Sequence, residues 1–372
     1  MRIGFDAKRA FNNHRGLGNY SRDTIRILAS YFPENQHFLF TPKIDPNIHF
    51  DCPENAKIIL PNDGFDKVFR TLWRSFGMVA DIRENKIDIF HGLSHELPWG
   101  IEKTRTRSVV TMHDLIFIKQ PELYPAFDRK MYKIKYFHSC RIANKVIAIS
   151  EQTKHDLIEL AGIDATKIQV VYQGCNPIFL HKCSEKKKQD ARAKYKLPEN
   201  FMLNVGATEK RKNQLIILKA MKSNDIDFPL VIIGKETDYT KTLHGFINEN
   251  HLQSKVFLLH NVDFQDFPAL YQSASLFIYP SLSEGFGIPI VEALQSGVPV
   301  IASSEACLKE SGGAGSRYVS PSDEADLGYA ISQILSDNVL REKMIQEGQK
   351  HVAKFSDAAI AKSLMDVYLS LQ

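Results

Sequence analysis

The sequence predicts an α/β protein built from two doubly wound, parallel-sheet domains, and three observations carry that prediction. At 372 residues the chain exceeds what one ordinary core fills, so two domains of roughly 150 to 200 residues are expected. Short runs rich in β-branched residues alternate with longer segments of helical spacing, and near residue 200 the alternation starts afresh. The short runs carry little polar interruption, as strands do when crossover helices cover both faces of a parallel sheet.

In the first half the strand runs are RIGFDA (2–7), HFLFTP (37–42), AKIIL (56–60), IDIFHG (87–92), SVVTMHD (108–114), KVIAIS (145–150) and IQVVYQG (168–174). After the first of them, NYSRDTIRILASYF repeats Tyr20, Thr24, Ile27, Leu28 and Tyr31 at the spacing of one helix face. Ser150, before EQTKHDLIEL, reads as an N-cap whose hydroxyl accepts from an amide of the first turn. The stretch CSEKKKQDARAKYKLPEN (183–200) is charged, poor in apolar residues and closed by Pro198. The seam is predicted there, with a first domain of residues 1–182 and a second of residues 183–356. The second series of strands is FMLNVGA, PLVIIGK, VFLLHNV, LFIYPS, VPVIAS and RYVSP, and the chain ends in helical patterns through AAIAKSLMDVYLSLQ.

Composition removes several classes of function. With 44% apolar and 24% charged residues and a net charge of +4, the chain has the balance of a globular protein and gives no general reason to expect a nucleic-acid partner. Charges at Asp6, Lys8 and Arg9 break the apolar core that a signal peptide needs. No run approaches the ~18 apolar residues that span a bilayer. Five cysteines, scattered and free of any CxxC pair, suggest neither a disulfide framework nor a zinc site. The expectation is a cytoplasmic protein with no cofactor and no metal.

Ligands of open parallel sheets bind outside the carboxyl ends of the strands. The dinucleotide fingerprint GxGxxG is missing there; RGLGNY keeps only its first two glycines, Gly16 and Gly18, which weighs against a nicotinamide enzyme. The segment SEGFGIPIVEALQSGVPVIAS (283–303) says more. Pro289 suits the first helical position and Gly297 the position just past a helix end, which makes PIVEALQS a helix only ~12 Å long. The amides of Phe286, Gly287 and Ile288 then face the crevice with partial positive charge, suited to an anion or to sugar hydroxyls. Gly285 and Gly287 allow the backbone to approach a ligand. Glu284, on the loop, reaches what those amides hold, and Glu292, in the first turn, can accept two hydrogen bonds from a ribose diol. A first-turn glutamate is stabilised by ~0.3 to 1 kcal/mol with no ligand at all. The functional case rests on the joint placement.

That placement resembles a known pattern. EGFGIPIVE, from Glu284 to Glu292, is similar to the E-x7-E motif of retaining glycosyltransferases of the GT-B fold, glycosyltransferase family 4, group 1. DIFHGLSHELP (88–98), VVTMHDL (109–115), VIAISEQTKHDL (146–157), NVGATEKRKNQ (204–214), ALYQSASLFIYPSLSEGFG (269–287) and SGVPVIAS (296–303) look like the family's recurring blocks, in its usual order. The resemblance covers nearly the whole chain. It implies two Rossmann-like domains facing across a cleft, closure of that cleft during the reaction, and a final helix, residues 357–372, that returns to the first domain.

The resemblance also implies roles, position by position. Glu284 would contact the donor sugar, with Gly285, Phe286, Gly287 and Ile288 lending amides to sugar and phosphate, and Glu292 would hold the ribose. Arg211 and Lys212 in GATEKRKN match the pair that neutralises the diphosphate; many relatives have arginine where this chain has Ala207, so which of the two contacts the phosphates stays open. Fixed cations and helix-end amides stabilise a diphosphate where its charge develops, with no metal required. His113 would lie over the donor sugar, and Gly16 and Gly18 would form the loop near phosphate and acceptor. His113 and Glu284 are therefore the candidate catalytic residues.

The function implied is transfer of a hexose, with mannose from GDP-mannose as first guess, to a saccharide or lipid-linked saccharide in surface polysaccharide or lipopolysaccharide biosynthesis. UDP-sugars remain open, as do a non-catalytic nucleotide-sugar or glycan binder on the same scaffold and a sugar-nucleotide epimerase. FDKVFRTLWRSFG (65–77) puts Phe65, Val68, Phe69, Leu72, Trp73 and Phe76 on one helical face with Lys67, Arg70 and Arg74 around it, and FDRKMYKIKYFHSCRIANK (127–145) is strongly basic. Such faces either pack on a sheet or lie on anionic lipid, giving peripheral attachment to the inner face of a membrane.

Overall fold

Each apolar run becomes a strand in the computed structural model, which describes residues 1–61 and 69–372. The chain divides into two compact units, residues 1–174 with 355–372, and residues 175–354. The first unit holds β1 (Arg2–Asp6), β2 (Gln36–Phe40), β3 (Ala56–Ile59), β4 (Ile89–Gly92), β5 (Arg107–Met112), β6 (Lys145–Ala148) and β7 (Ile168–Val170), in the order β3-β2-β1-β4-β5-β6-β7. The second holds β8 (Phe201–Val205), β9 (Leu230–Ile233), β10 (Val256–Leu259), β11 (Ala274–Tyr279), β12 (Val300–Ser303) and β13 (Arg317–Val319), in the order β10-β9-β8-β11-β12-β13. All these neighbours pair in parallel.

Burial on both faces is visible residue by residue. Phe38 and Phe40 of β2 enter one core with Phe90, Val110 and Met112, while Leu39 between them enters the other with Phe5, Ile89 and Val109. The period of two along each strand divides the side chains between the two layers. Helix Glu151–Ala161 starts as its sequence implies, with Ser150 Oγ accepting from the Thr153 amide, and stops at Gly162 with φ +62°. The charged stretch 183–200 contains helix Glu185–Lys194, inside the second unit.

The final helix, Asp357–Leu369, belongs to the first unit and packs on helix Gly16–Tyr31. Its anchor is a buried polar chain. Tyr368 Oη lies 2.6 Å from His91 Nδ1, His91 Nε2 lies 2.7 Å from Thr111 Oγ1, and Thr111 Oγ1 lies 3.0 Å from Tyr20 Oη. All four side chains are buried, so each bond spares a polar atom the cost of desolvation without a partner.

The amphipathic stretch near residue 70 differs from expectation. Residues Phe65, Lys67 and Val68 lie outside the described residues. From Phe69 on, a turn Arg70–Leu72 runs into a π-helical turn, Trp73–Gly77, and then into helix Met78–Glu84. The wider π turn carries one more residue than an α turn and rotates the faces against each other. Trp73 is consequently 1% exposed while Phe69, Leu72 and Phe76 are 47%, 47% and 57% exposed. Arg74 is not on a wet rim: only 10% of its side chain is exposed, and it lies 2.6 Å from Asp6 and 3.0 Å from Glu96.

Replacing Tyr368 by Phe strands His91 Nδ1 in the core, and we expect a loss of about 1 to 3 kcal/mol from the first unit. Amide exchange in β4 and β5 measures this, with the exposed Tyr329 of the second unit, changed to Phe, as the control that leaves exchange unaltered.

Candidate active site

In the second unit the strand order reverses between β8 and β11, which makes the space beyond their carboxyl ends the switch-point crevice of a doubly wound sheet. The chain leaving β8 turns at Gly206 and forms a short 3-10 turn, Lys210–Lys212, before helix Gln214–Ser223. The chain leaving β11 passes Pro280 and the loop to Gly287, which precedes helix Ile288–Gln295. Asn213 ties the two loops together by donating to the Pro280 carbonyl at 3.1 Å and to the Pro321 carbonyl at 2.8 Å.

Between these loops three of the predicted residues meet. Lys212 Nζ lies 2.6 Å from Glu284 Oε1, and Arg211 Nη1 lies 3.0 Å from Glu284 Oε2. The same Oε1 accepts from Ser281 Oγ at 2.6 Å and from Tyr279 Oη at 3.0 Å, while Tyr279 Oη accepts from Lys212 at 2.7 Å. Arg211 also donates to the Ser283 carbonyl at 2.6 Å and to Glu209 at 2.7 Å. Burial by itself would raise the Glu284 pKa, but the charges of Lys212 and Arg211 and the hydrogen bonds from Lys212 and Ser281 outweigh it and bring the carboxyl down to about 2. The carboxylate stays ionised at every physiological pH.

Gly287 sits at φ +100°, a backbone conformation that favours glycine, and a Cβ there would come within 2.7 Å of Leu308 Cδ2, which would have to shift. Helix Ile288–Gln295 has no acidic residue in its first turn. Glu292 is its fifth residue, one residue further in than the sequence suggested and just past the first turn, because the helix begins at Ile288 and Pro289 is its second residue. Glu292 accepts from the buried Tyr271 hydroxyl at 2.8 Å. Phe286 turns its side chain into the interior, and Gly285 lies beside it on the same loop. Gly297 follows the helix with φ +75°.

His113 lies in the first unit, just beyond β5 and 5% exposed. Its Nε2 is 2.9 Å from the Leu93 carbonyl, its amide donates to His95 Nε2 at 3.2 Å, and Gln173 Nε2 approaches its Nδ1 to 3.4 Å. Burial and the neighbouring His95 lower its pKa to about 3. His95 has φ +68°, stacks on Tyr136 at 4.5 Å between ring centroids, and titrates near 3 through burial and the charge of Arg9. Gly16 and Gly18 are in the first turn of helix Gly16–Tyr31 rather than in a free loop. A Cβ on Gly18 would fall 1.9 Å from the Asn13 carbonyl oxygen, so its close approach is to the chain itself, whereas Gly16 has open space.

Two family models match. "Glycosyltransferase Family 4" covers residues 16–178 and "Glycosyl transferases group 1" covers residues 185–351. The O-antigen chain mannosyltransferase B of Escherichia coli is 30% identical over 281 residues, 74% of this chain and 72% of that one. The chain belongs to glycosyltransferase family 4, group 1. The O-antigen chain mannosyltransferase RfbU of Salmonella typhimurium is 33% identical over 227 residues, 60% of each chain, so the match spans less than two thirds of that relative. The fold matches Anabaena HepE in complex with UDP over 100% of both chains, with a TM-score of 0.78 at 19% identity. The architecture is thus that of GT-B glycosyltransferases, with two Rossmann-like domains.

Sequence reasoning missed several side chains of this glycosyltransferase. Tyr279 and Ser281 flank Pro280 and complete the Glu284 cluster; a hydroxyl on each side of a strand-ending proline was the available signal. Asp6 ends β1, accepts from the Lys8 amide at 3.2 Å and pairs with Arg74. Among the described residues no group of three or more His, Cys, Asp or Glu could hold a metal ion, and no helix is long and apolar enough to cross a membrane.

The two units should respond differently to acid. His91, His95 and His113 have folded pKa values near 3, below the ordinary 6.5. Between those values the unfolded chain binds protons that the folded one refuses, so their contribution is complete above pH 6.5 and drains away as pH falls toward 3. The Glu284 contribution holds above pH 4.5 and is lost only as pH falls through about 2. Amide exchange across a pH series should show the first unit opening at higher pH than the second.

Proposed function

We propose that this glycosyltransferase moves a hexose from a nucleotide diphosphate sugar to a saccharide or lipid-linked saccharide in the assembly of a surface polysaccharide or lipopolysaccharide. GDP-mannose is the first donor. The observation that carries the reading is the contact of Lys212 with Glu284 beyond β8 and β11, which sets a cation for a leaving diphosphate beside a carboxylate for a sugar. The mannose assignment is supported by the two O-antigen mannosyltransferase relatives. UDP-sugars are the second choice, supported by the likeness to HepE with UDP.

In the reaction we propose, the anomeric carbon–oxygen bond to the diphosphate breaks while the acceptor oxygen bonds the same carbon from the same face, so configuration is retained. The acceptor hydroxyl gives its proton to the departing diphosphate. Lys212 and Arg211 offset the charge that develops there, and no metal is needed for that task. His113, neutral across physiological pH, fits positioning of the donor sugar better than proton transfer. Glu292 is assigned to the ribose, the amides from Gly285 to Ile288 to sugar and phosphate, and Gly16 to the acceptor side.

Location follows from the acceptor. We place the protein in the cytoplasm, resting on anionic lipid through the exposed Phe69, Leu72 and Phe76, the last stacked 6.4 Å from Trp99, with Arg70 and Arg83 exposed nearby.

Incubation with GDP-mannose, UDP-glucose, UDP-galactose and UDP-N-acetylglucosamine tests the reading, and GDP-mannose should be turned over fastest, undiminished by EDTA. Lys212→Ala should lower kcat by roughly 10²- to 10³-fold, the range for removing one preorganised transition-state contact. Binding of donors with no nucleotide released from any of them would favour a binding protein instead. In sedimentation with phosphatidylglycerol vesicles, the protein should pellet and the doubly substituted Leu72→Ser, Phe76→Ser variant should stay in solution.

A further inference from the structure

One carboxylate holds both cations of the diphosphate site. Glu284 receives Lys212, Tyr279 and Ser281 on Oε1 and Arg211 on Oε2. Three of these donors crowd onto Oε1, which like any carboxylate oxygen has about two lone pairs, so that oxygen has no place for a sugar hydroxyl until one of them leaves. Lys212 is shared in the same way, between Glu284 and Tyr279 Oη. The two functions assigned to the site, gripping sugar and neutralising diphosphate, therefore compete for the same atoms.

We infer that Glu284 is the resident counter-ion of the diphosphate site, and that donor binding is an exchange in which the diphosphate draws Lys212 off Glu284 and so frees the carboxylate for the sugar. This rests on the glycosyltransferase reading above and adds an order of events to it. Lys212 is the group that moves. Its flexible stem runs past Gly206, with Cδ and Cε 3.7 Å from where a Cβ would be, and a single side-chain hydroxyl is its other partner. Arg211 is fixed by the Ser283 carbonyl and Glu209 as well as by Glu284, so it remains as the standing cation while Lys212 swings. Ser281 and Tyr279 keep the carboxylate aimed as the ammonium leaves. The two halves of the substrate are thereby coupled: a diphosphate must arrive before the sugar can be held.

The exchange separates from a plain binding contact by the sign of two mutational effects on nucleoside diphosphate affinity. Calorimetric titration with GDP and with UDP is the measurement. Glu284→Gln removes the competing charge, so the nucleoside diphosphate should bind three- to tenfold more tightly than to the wild type, while transfer from the intact donor falls at least 100-fold. Ser281→Ala removes a donor to Glu284 and leaves that carboxylate more dependent on Lys212, so the nucleoside diphosphate should bind two- to fivefold more weakly. A merely structural role would move both variants in the same, weaker direction. Unchanged or weaker binding by Glu284→Gln overturns the inference. If that variant does not fold, Glu284→Ala, which removes the same charge, takes its place in the titration, and unchanged or weaker binding by it overturns the inference equally. If the wild-type protein binds neither GDP nor UDP, the functional reading itself falls, and the exchange with it.

Discussion

The contact of Glu284 with Arg211 and Lys212 is the constraint around which the second unit's strand-end loops are arranged. A buried carboxylate costs several kcal/mol unless paired and hydrogen-bonded, and this one is satisfied by side chains from the loops after both β8 and β11. The backbone follows the same lines: the Leu282 amide and Ser281 Oγ both reach the Arg211 carbonyl, at 2.8 Å and 3.1 Å. Removing the carboxylate would leave two neighbouring cations of one turn without their shared counter-charge. Its ionised state is thus a condition of the local fold as well as of any chemistry.

Glycine placement shows how little slack these loops have. A Cβ on Gly234 would fall 1.9 Å from the Gly206 carbonyl oxygen, and one on Gly287 would strike Leu308. Cys307, one residue earlier on the same helix as Leu308, donates to the Glu284 carbonyl at 3.2 Å. Loops packed this closely hold donors and charges in place before any substrate arrives, and preorganisation of that kind is where electrostatic catalysis finds most of its energy. Lys212 is the exception: its stem runs beside Gly206, where the Cβ of any other residue would stand 3.7 Å from its Cδ and Cε, and glycine leaves that space open.

The strands were legible because a parallel sheet covered on both faces demands unbroken apolar runs, and such runs as SVVTMHD and LFIYPS stand out against their neighbours. Caps were legible too, since Ser150 and Gly297 act through local backbone chemistry. The meeting of Glu284 with Lys212 was approached through a pattern of blocks, but the atoms between them were not. Tyr279 and Ser281 join the cluster because β8 and β11 are neighbours, which a one-dimensional pattern does not state. Phase errors had a similar origin. Glu292 was placed one residue early because Pro289 suits either of two positions, and Trp73 was grouped with Phe76 because a π turn cannot be seen in a 3.6-residue count.

His113 illustrates how tertiary contacts decide chemistry that sequence leaves open. A carbonyl can only accept, so the neutral ring must carry its proton on Nε2, toward Leu93, and present the Nδ1 lone pair beside Gln173. His95 is turned the other way: its Nε2 accepts from the His113 amide, so its own proton is on Nδ1. Holding it there requires φ +68°, a conformation that costs a non-glycine residue energy, offset here by stacking on Tyr136. The pair is thus ordered by a residue in a strained conformation, tied also to the Thr111 carbonyl through its amide. A histidine fixed in one tautomer and kept neutral by burial has lost the freedom that makes imidazole a proton shuttle. What it keeps is a lone pair in a set direction, beside Gln173, as the donor-sugar positioning proposed above requires.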